Sequence, residues 1–141
     1  MHALTKTVLS PFLLAAVFCL GGGAAQAQYM TLVGAGTIAL KSNETIELGE
    51  AYYVSNCRSM LKSTPEVQVL DGPSEISVAI KEEMVLPRRQ GCAKKVSGGV
   101  LTISAKDIFD PSFTRLTLRV LYKTKDGERS RGNVFQVSLF P

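Results

Sequence analysis

The chain has 141 residues, 45% of them hydrophobic and 20% charged, with a formal charge of +4 and a single histidine. That charge is too slight to indicate nucleic-acid binding. The length suits one domain behind a short leader.

Residues 1–27 read as a signal peptide. Lys6 supplies the positive start, an apolar run extends from Val8 to Leu20, Gly21-Gly22-Gly23 breaks any helix, and Ala25-Gln26-Ala27 offers a small-x-small cleavage site before Gln28. The run is too short to span about 30 Å of hydrocarbon, which needs roughly 20 residues. No later stretch is a candidate membrane span. Export implies a periplasmic or secreted protein in an oxidising compartment. Cleavage removes His2 and Cys19 together, so residues 28–141 carry no histidine and only Cys57 and Cys92. Ser-His and Cys-His nucleophile pairs and histidine metal sites are thereby excluded. Two cysteines in such a compartment most simply form one intramolecular disulfide, contributing about 3–4 kcal/mol in the chain-entropy picture. A redox pair would show Cys-x-x-Cys spacing, which is absent.

Residues 28–141 read as a single β-domain in a succession of short strands. Gly34-Ala35-Gly36 marks a bulge or bend near the first strand, lacking the further glycine of a dinucleotide loop. Strands are expected at Thr37 to Leu40, at Ile46 and Leu48 with an end at Gly49, and at Ala51 to Arg58. Val67 and Val69 form another, closed by Asp71-Gly72-Pro73. Ile76, Val78 and Ile80 alternate with Ser77, Ala79 and Lys81, and Leu101 and Ile103 with Thr102 and Ser104 after a Gly98-Gly99 break. Ala105 to Asp110, stopped by Pro111, suits a single helical turn. Leu116, Leu118, Val120 and Tyr122, then Phe135, Val137 and Leu139, form a hairpin about Asp126-Gly127, read as a type I′ turn. That turn pairs Leu118 with Phe135 and Leu116 with Val137, one face apolar and the other polar. Seven to eight short strands describe an all-β, antiparallel sandwich.

The run Leu101-Thr102-Ile103-Ser104, the turn through Asp107 and Asp110, and Leu116-Thr117-Leu118-Arg119-Val120 together resemble the strand, corner and strand of an immunoglobulin-like β-sandwich. The chain lacks tryptophan and a Tyr-x-Cys on the later strand, and Cys57 and Cys92 lie closer than the inter-sheet pair of antibody domains. The bridge is therefore expected to tie a loop to a strand. The wider pattern, from Cys57-Arg58-Ser59 through Pro87-Arg88-Arg89-Gln90-Gly91-Cys92 to Lys125-Asp126-Gly127, is similar to small exported proteins of Gram-negative bacteria. That resemblance implies fold and compartment and no activity.

Motifs for chemistry are sparse. Ser59-Met60-Leu61-Lys62 matches the Ser-x-x-Lys nucleophile motif, but without Ser-Asp-Asn or Lys-Thr-Gly partners and without a helix to open. Glu82-Glu83 lack calcium-loop spacing. No cofactor or metal site is expected. The positive signal is basic: Arg88, Arg89, Lys94 and Lys95 cluster about Cys92, and a Cys57–Cys92 bond brings Arg58 beside them. A loop so pinned would offer guanidinium forks to carboxylate or phosphate groups. The plainer reading is a solvated loop whose charges and Pro87 keep an edge strand from pairing. The resulting expectation is a non-enzymatic module that binds an envelope protein or an anionic envelope component. The alternatives are a structural subunit of an envelope assembly docking by an edge strand, and a small hydrolase or hydrolase inhibitor.

Overall fold

A computed structural model describes residues 28–32 and 37–141; the expected signal peptide and Gly34-Ala35-Gly36 lie outside these residues. The described chain is all-β. Its strands are β1 (Gln28–Leu32), β2 (Thr37–Lys41), β3 (Thr45–Ser55), β4 (Arg58–Ser59), β5 (Glu66–Asp71), β6 (Ile76–Val85), β7 (Val96–Ala105), β8 (Ser112–Thr124) and β9 (Gly127–Phe140). One sheet has the order β1-β3-β7-β6, with β4 pairing the end of β3; the other has the order β2-β9-β8-β5. Among the described residues no helix is long and apolar enough to cross a membrane.

Period-two alternation explains the strands and their faces. On β8, Leu116, Leu118, Val120 and Tyr122 are all sealed from solvent, while Phe113, Arg115 and Arg119 between or before them are not. Phe135, Val137 and Leu139 of β9, with Leu101, Ile103 and Ala105 of β7, are buried as well. Leu48, Ile76, Leu101 and Ile103 from one sheet and Leu40, Leu116, Leu118 and Val137 from the other form one core cluster, so the two sheets share a single interior. Each such Leu or Val contributes about 1.5–3 kcal/mol of transfer free energy by burial.

Several elements differ from the sequence-based expectation. The two sheets are not purely antiparallel, because β2 pairs β9 in parallel, with Thr37 opposite Gln136 and Lys41 opposite Phe140. Strands so far apart in sequence are free of the hairpin constraint that makes neighbours antiparallel. The two strands expected either side of Gly49 are one strand, β3, which absorbs Gly49 in a bulge. It stops at Ser55, because Asn56 and Cys57 both take positive φ (50° and 58°) and turn the chain back into β4. Asn tolerates that backbone well; Cys does so at some cost.

Gly98-Gly99 is not a break either. β7 runs through both residues, and the reason for glycine is space. A Cβ on Gly98 would lie 2.6 Å from the Ala51 carbonyl oxygen and 2.8 Å from Val85 Cγ2. Between Lys106 and Asp110 the chain forms a loop with Asp107 at φ 56°, in place of the expected helical turn. Pro111 and the apolar demands of Ile108, which is buried, outweigh the helical propensity of so short a segment.

The β8–β9 hairpin forms with its apolar face as expected, but two residues out of the expected register. Thr124 pairs Gly127, Leu116 pairs Phe135 and Thr114 pairs Val137. Lys125 and Asp126 are therefore the loop, and of the turn residues only Gly127 has positive φ (105°), which a type I′ turn does not allow. Thr124 decides the matter. Its buried hydroxyl donates to the Gly127 carbonyl at 2.6 Å and accepts from the Asp126 N–H at 3.2 Å. A shift of two keeps every side chain on its face, so the hydrophobic pattern cannot distinguish the two registers.

Candidate functional site

The disulfide organises one end of the molecule. Cys57 sits in the β3–β4 turn and Cys92 in the β6–β7 connection, with Cα atoms 5.5 Å apart. The bond therefore joins two connections, where a loop-to-strand bridge was expected. The β6–β7 connection is compact for its length. Pro87 is buried and its carbonyl accepts from the N–H of Gln90 (3.2 Å) and of Cys92 (3.3 Å). A single 3₁₀ turn, Arg88–Gln90, ends at Gly91 in the left-handed region (φ 70°), whose N–H donates to the Arg88 carbonyl at 3.0 Å. Arg88 and Arg89 are held on the outside of that turn.

Beneath lies a second small core. Tyr52, Val54, Val85, Val96 and Val100 are buried together, separate from the main interior. On β7, Val96 and Val100 alternate with the inward-facing Leu101 and Ile103, so this cluster belongs to the outer face of its sheet. Apolar groups on an outer face stay buried only if something covers them. The β6–β7 connection borders the cavity above them: Leu86, Arg88, Arg89 and Lys95 share it with Tyr52 and Val100.

That cavity, about 570 Å³ in volume, is the candidate site. Its lining includes the cations Arg88, Arg89 and Lys95 and the carboxylates Glu47, Glu50 and Glu83. Among the described residues none of these six side chains is within ion-pairing distance of an opposite charge, the one such pair being Lys123 with Glu66 at 3.4 Å. Arg58 is exposed on β4, immediately after Cys57, and Lys94 is exposed in the connection; neither lines the cavity. The structure thus brings together three of the five cations singled out by sequence and adds three carboxylates. Glu47 and Glu50 escaped notice because they stand some forty residues from the arginines in sequence; no local signal links them.

Ser59 and Lys62 serve the backbone here. The Ser59 hydroxyl donates to the Ser97 carbonyl and accepts from the Leu61 N–H, both at 3.3 Å. The Lys62 N–H donates to the Lys123 carbonyl at 2.8 Å, part of the seam that joins the two sheets at this end. A cavity of about 160 Å³ nearby is lined by Lys62, Thr64, Glu82 and Ser97, without Ser59. Among the described residues no group of three or more Cys, Asp or Glu side chains converges to hold a metal ion. No protein-family model matches the chain, and no curated protein shows significant similarity to it.

Proposed function

We propose that the chain is an exported, non-enzymatic immunoglobulin-like β-sandwich module that binds an envelope protein or an anionic envelope component through its disulfide-pinned basic connection. The observation that carries this reading is that Arg88, Arg89 and Lys95 line one cavity without a direct ion pair to any carboxylate among the described residues. Guanidinium groups engage carboxylates or phosphates through two hydrogen bonds at once, and a turn already fixed in its backbone spares the cost of ordering a loop on binding.

The immunoglobulin-like assignment is supported by strand order. Antibody-type constant domains place their strands as A-B-E-D and C-F-G. Matching β1, β3, β7 and β6 to the first set and β5, β8 and β9 to the second reproduces both orders, with β2 as a short strand added beside β9. Export is supported by the leader-like residues 1–27 and by a disulfide, which persists in oxidising compartments.

Glu47, Glu50 and Glu83 narrow the ligand. A uniform polyanion entering the cavity meets like charge, whereas a ligand carrying an amine beside its carboxylate or phosphate finds opposite charge for both of its groups. An acidic protein segment with interspersed lysine, or an aminated phosphate headgroup, fits that description.

The test is capture from envelope extract with the protein expressed in a Gram-negative host, beside the double variant Arg88→Glu/Arg89→Glu. The expected result is a partner retained at low salt, released as salt rises, and lost with the variant while circular dichroism stays unchanged. Equal capture by both proteins sinks the reading. Amino-terminal sequencing of the same preparation is expected to begin at Gln28. A second reading, an assembly subunit docking by an edge strand, is favoured by β6, ten residues long and at the margin of its sheet with no proline.

A further inference from the structure

Strand registers sort the turns into two opposite ends. At one end lie the β3–β4 turn and the β6–β7 connection, joined by the Cys57–Cys92 bond, and the β8–β9 hairpin tip, whose Thr124 bridges to Leu61 just beyond β4. At the other lie the segments 42–44, 72–75 and 106–111, tied by hydrogen bonds of Asn43 N–H to the Ala105 carbonyl and Ser42 N–H to the Phe140 carbonyl, both 2.8 Å. Charge divides with them. The first end carries Arg58, Lys62, Arg88, Arg89, Lys94, Lys95, Lys123, Lys125 and Arg129, against the fewer carboxylates Glu66, Glu82, Glu83, Asp126 and Glu128. The second carries Glu44, Glu75, Asp107 and Asp110, against Lys41 and Lys106.

The acidic end also holds an exposed aromatic patch. Phe109 and Phe113 are 82% and 66% exposed, the two most exposed large apolar side chains among the described residues. They flank a cavity of about 420 Å³ whose rim includes Pro73, Glu75, Asp107 and Asp110. The Phe109 ring gains nothing from the core, since Ile108 beside it is the residue that packs inward. Large exposed rings beside carboxylates form a receptor for a guanidinium group: the π-face attracts the cation and the carboxylate accepts its hydrogen bonds.

We propose that this patch receives the basic end of a second copy of the chain, with Arg88 and Arg89 of one molecule seated against Phe109, Phe113, Glu75 and Asp110 of the next. Charge complementarity selects this occupant. The chain carries, at its far end and on a disulfide-pinned turn, arginines with no ion-pair partner, and carries here carboxylates with none. Because donor and receptor surfaces occupy opposite ends, one contact leaves a free surface of each kind. The association is head-to-tail, producing assemblies larger than two chains, not closed dimers. It does not rest on the proposed envelope ligand, since the acidic end takes no part in that reading.

Sedimentation velocity over a concentration series, at low and at high salt, tests this. The wild-type protein is expected to show a mass that rises with concentration at low salt and falls toward the monomer at high salt. Glu75→Lys/Asp110→Lys and, separately, Arg88→Glu/Arg89→Glu should each weaken association at least about tenfold, the effect of losing a charge-assisted contact. Asp107 is left unchanged because its left-handed backbone suits lysine poorly. Mixed in equal amounts, the two variants regain complementarity, intact basic end with intact acidic end and reversed end with reversed end, and salt-sensitive association is expected to return. Phe109→Ala, at a site that contributes nothing to the core, should weaken assembly with unchanged thermal unfolding. A monomer at every concentration up to about 1 mM overturns the proposal, as does assembly that persists in both charge variants or stops at a dimer of the wild type. The Glu75→Lys/Asp110→Lys variant keeps the basic connection, so lost self-association with retained envelope binding separates this inference from the preceding one.

Discussion

Cys57 and Cys92 join the β3–β4 turn to the β6–β7 connection, with Cα atoms 5.5 Å apart across 35 residues of sequence. The bond therefore holds the connection at the sheet surface where Tyr52, Val54, Val85, Val96 and Val100 are buried. A stabilising crosslink and the positioning of the basic turn are the same structural fact.

Reduction should thus act locally before it acts globally. The Cys57→Ser/Cys92→Ser variant is expected to lose about 3 kcal/mol of stability by denaturant titration. It should also be cleaved by trypsin after Arg88 or Arg89 well before the rest of the chain, because the freed connection opens at lower cost than the sheets. Cleavage rates equal to the disulfide-bonded protein would contradict the pinning role.

Gly98→Ala should cost about 2 kcal/mol or more, since the added methyl group meets the Ala51 carbonyl oxygen and Val85. Gly132→Ala on β9 is the control. There the nearest atom to an added Cβ is the Leu118 carbonyl oxygen at 3.8 Å, and the change is expected to fall within about 0.5 kcal/mol.

Thr124→Val keeps the shape of the buried side chain and removes both hydroxyl hydrogen bonds of the hairpin turn. A loss of about 1–3 kcal/mol is expected, as two turn groups lose a partner. Amide exchange at Asp126 should rise in the same variant, reporting the lost bond directly.

Leu118 and Phe113 stand an odd number of residues apart on β8, hence on opposite faces, and their replacement by alanine should differ sharply in effect. Leu118 is fully buried between the sheets, and its truncation should cost about 2–5 kcal/mol. Phe113 stands on the outer face of β8, and its removal should change stability by no more than about 0.5 kcal/mol. Thermal unfolding of the two variants side by side checks the faces of the strand.

The local features were legible because they are written in neighbouring residues. Alternation along Leu116 to Tyr122 and along Phe135 to Leu139 identified the hairpin and its buried face, and the absence of any Cys but Cys57 and Cys92 beyond residue 27 identified the bridge. Where the alternation was interrupted, reading failed: Gly49 and Gly98 looked like ends of strands, and each lies inside one. Glycine marks a bulge, a turn and a close approach of other chain segments alike, and only the neighbours in space distinguish these.

Register, parallel pairing and the grouping of charge were decided by tertiary structure alone. The hydrophobic pattern is blind to a shift of two residues, so the Thr124 hydroxyl set the hairpin register. Nothing local specifies that β2 lies parallel to β9, since pairing between distant strands is chosen by the whole core. The cations about Cys92 were visible as a run, but Glu47, Glu50 and Glu83 joined them only because the sheet lays β3 and β6 on either side of β7. Sequence by itself determined which residues must leave water and which two sulfurs could meet. Which charges would face one another was left to the topology, because electrostatic neighbours are set by distance in space, and a β-fold assembles those distances from segments remote along the chain.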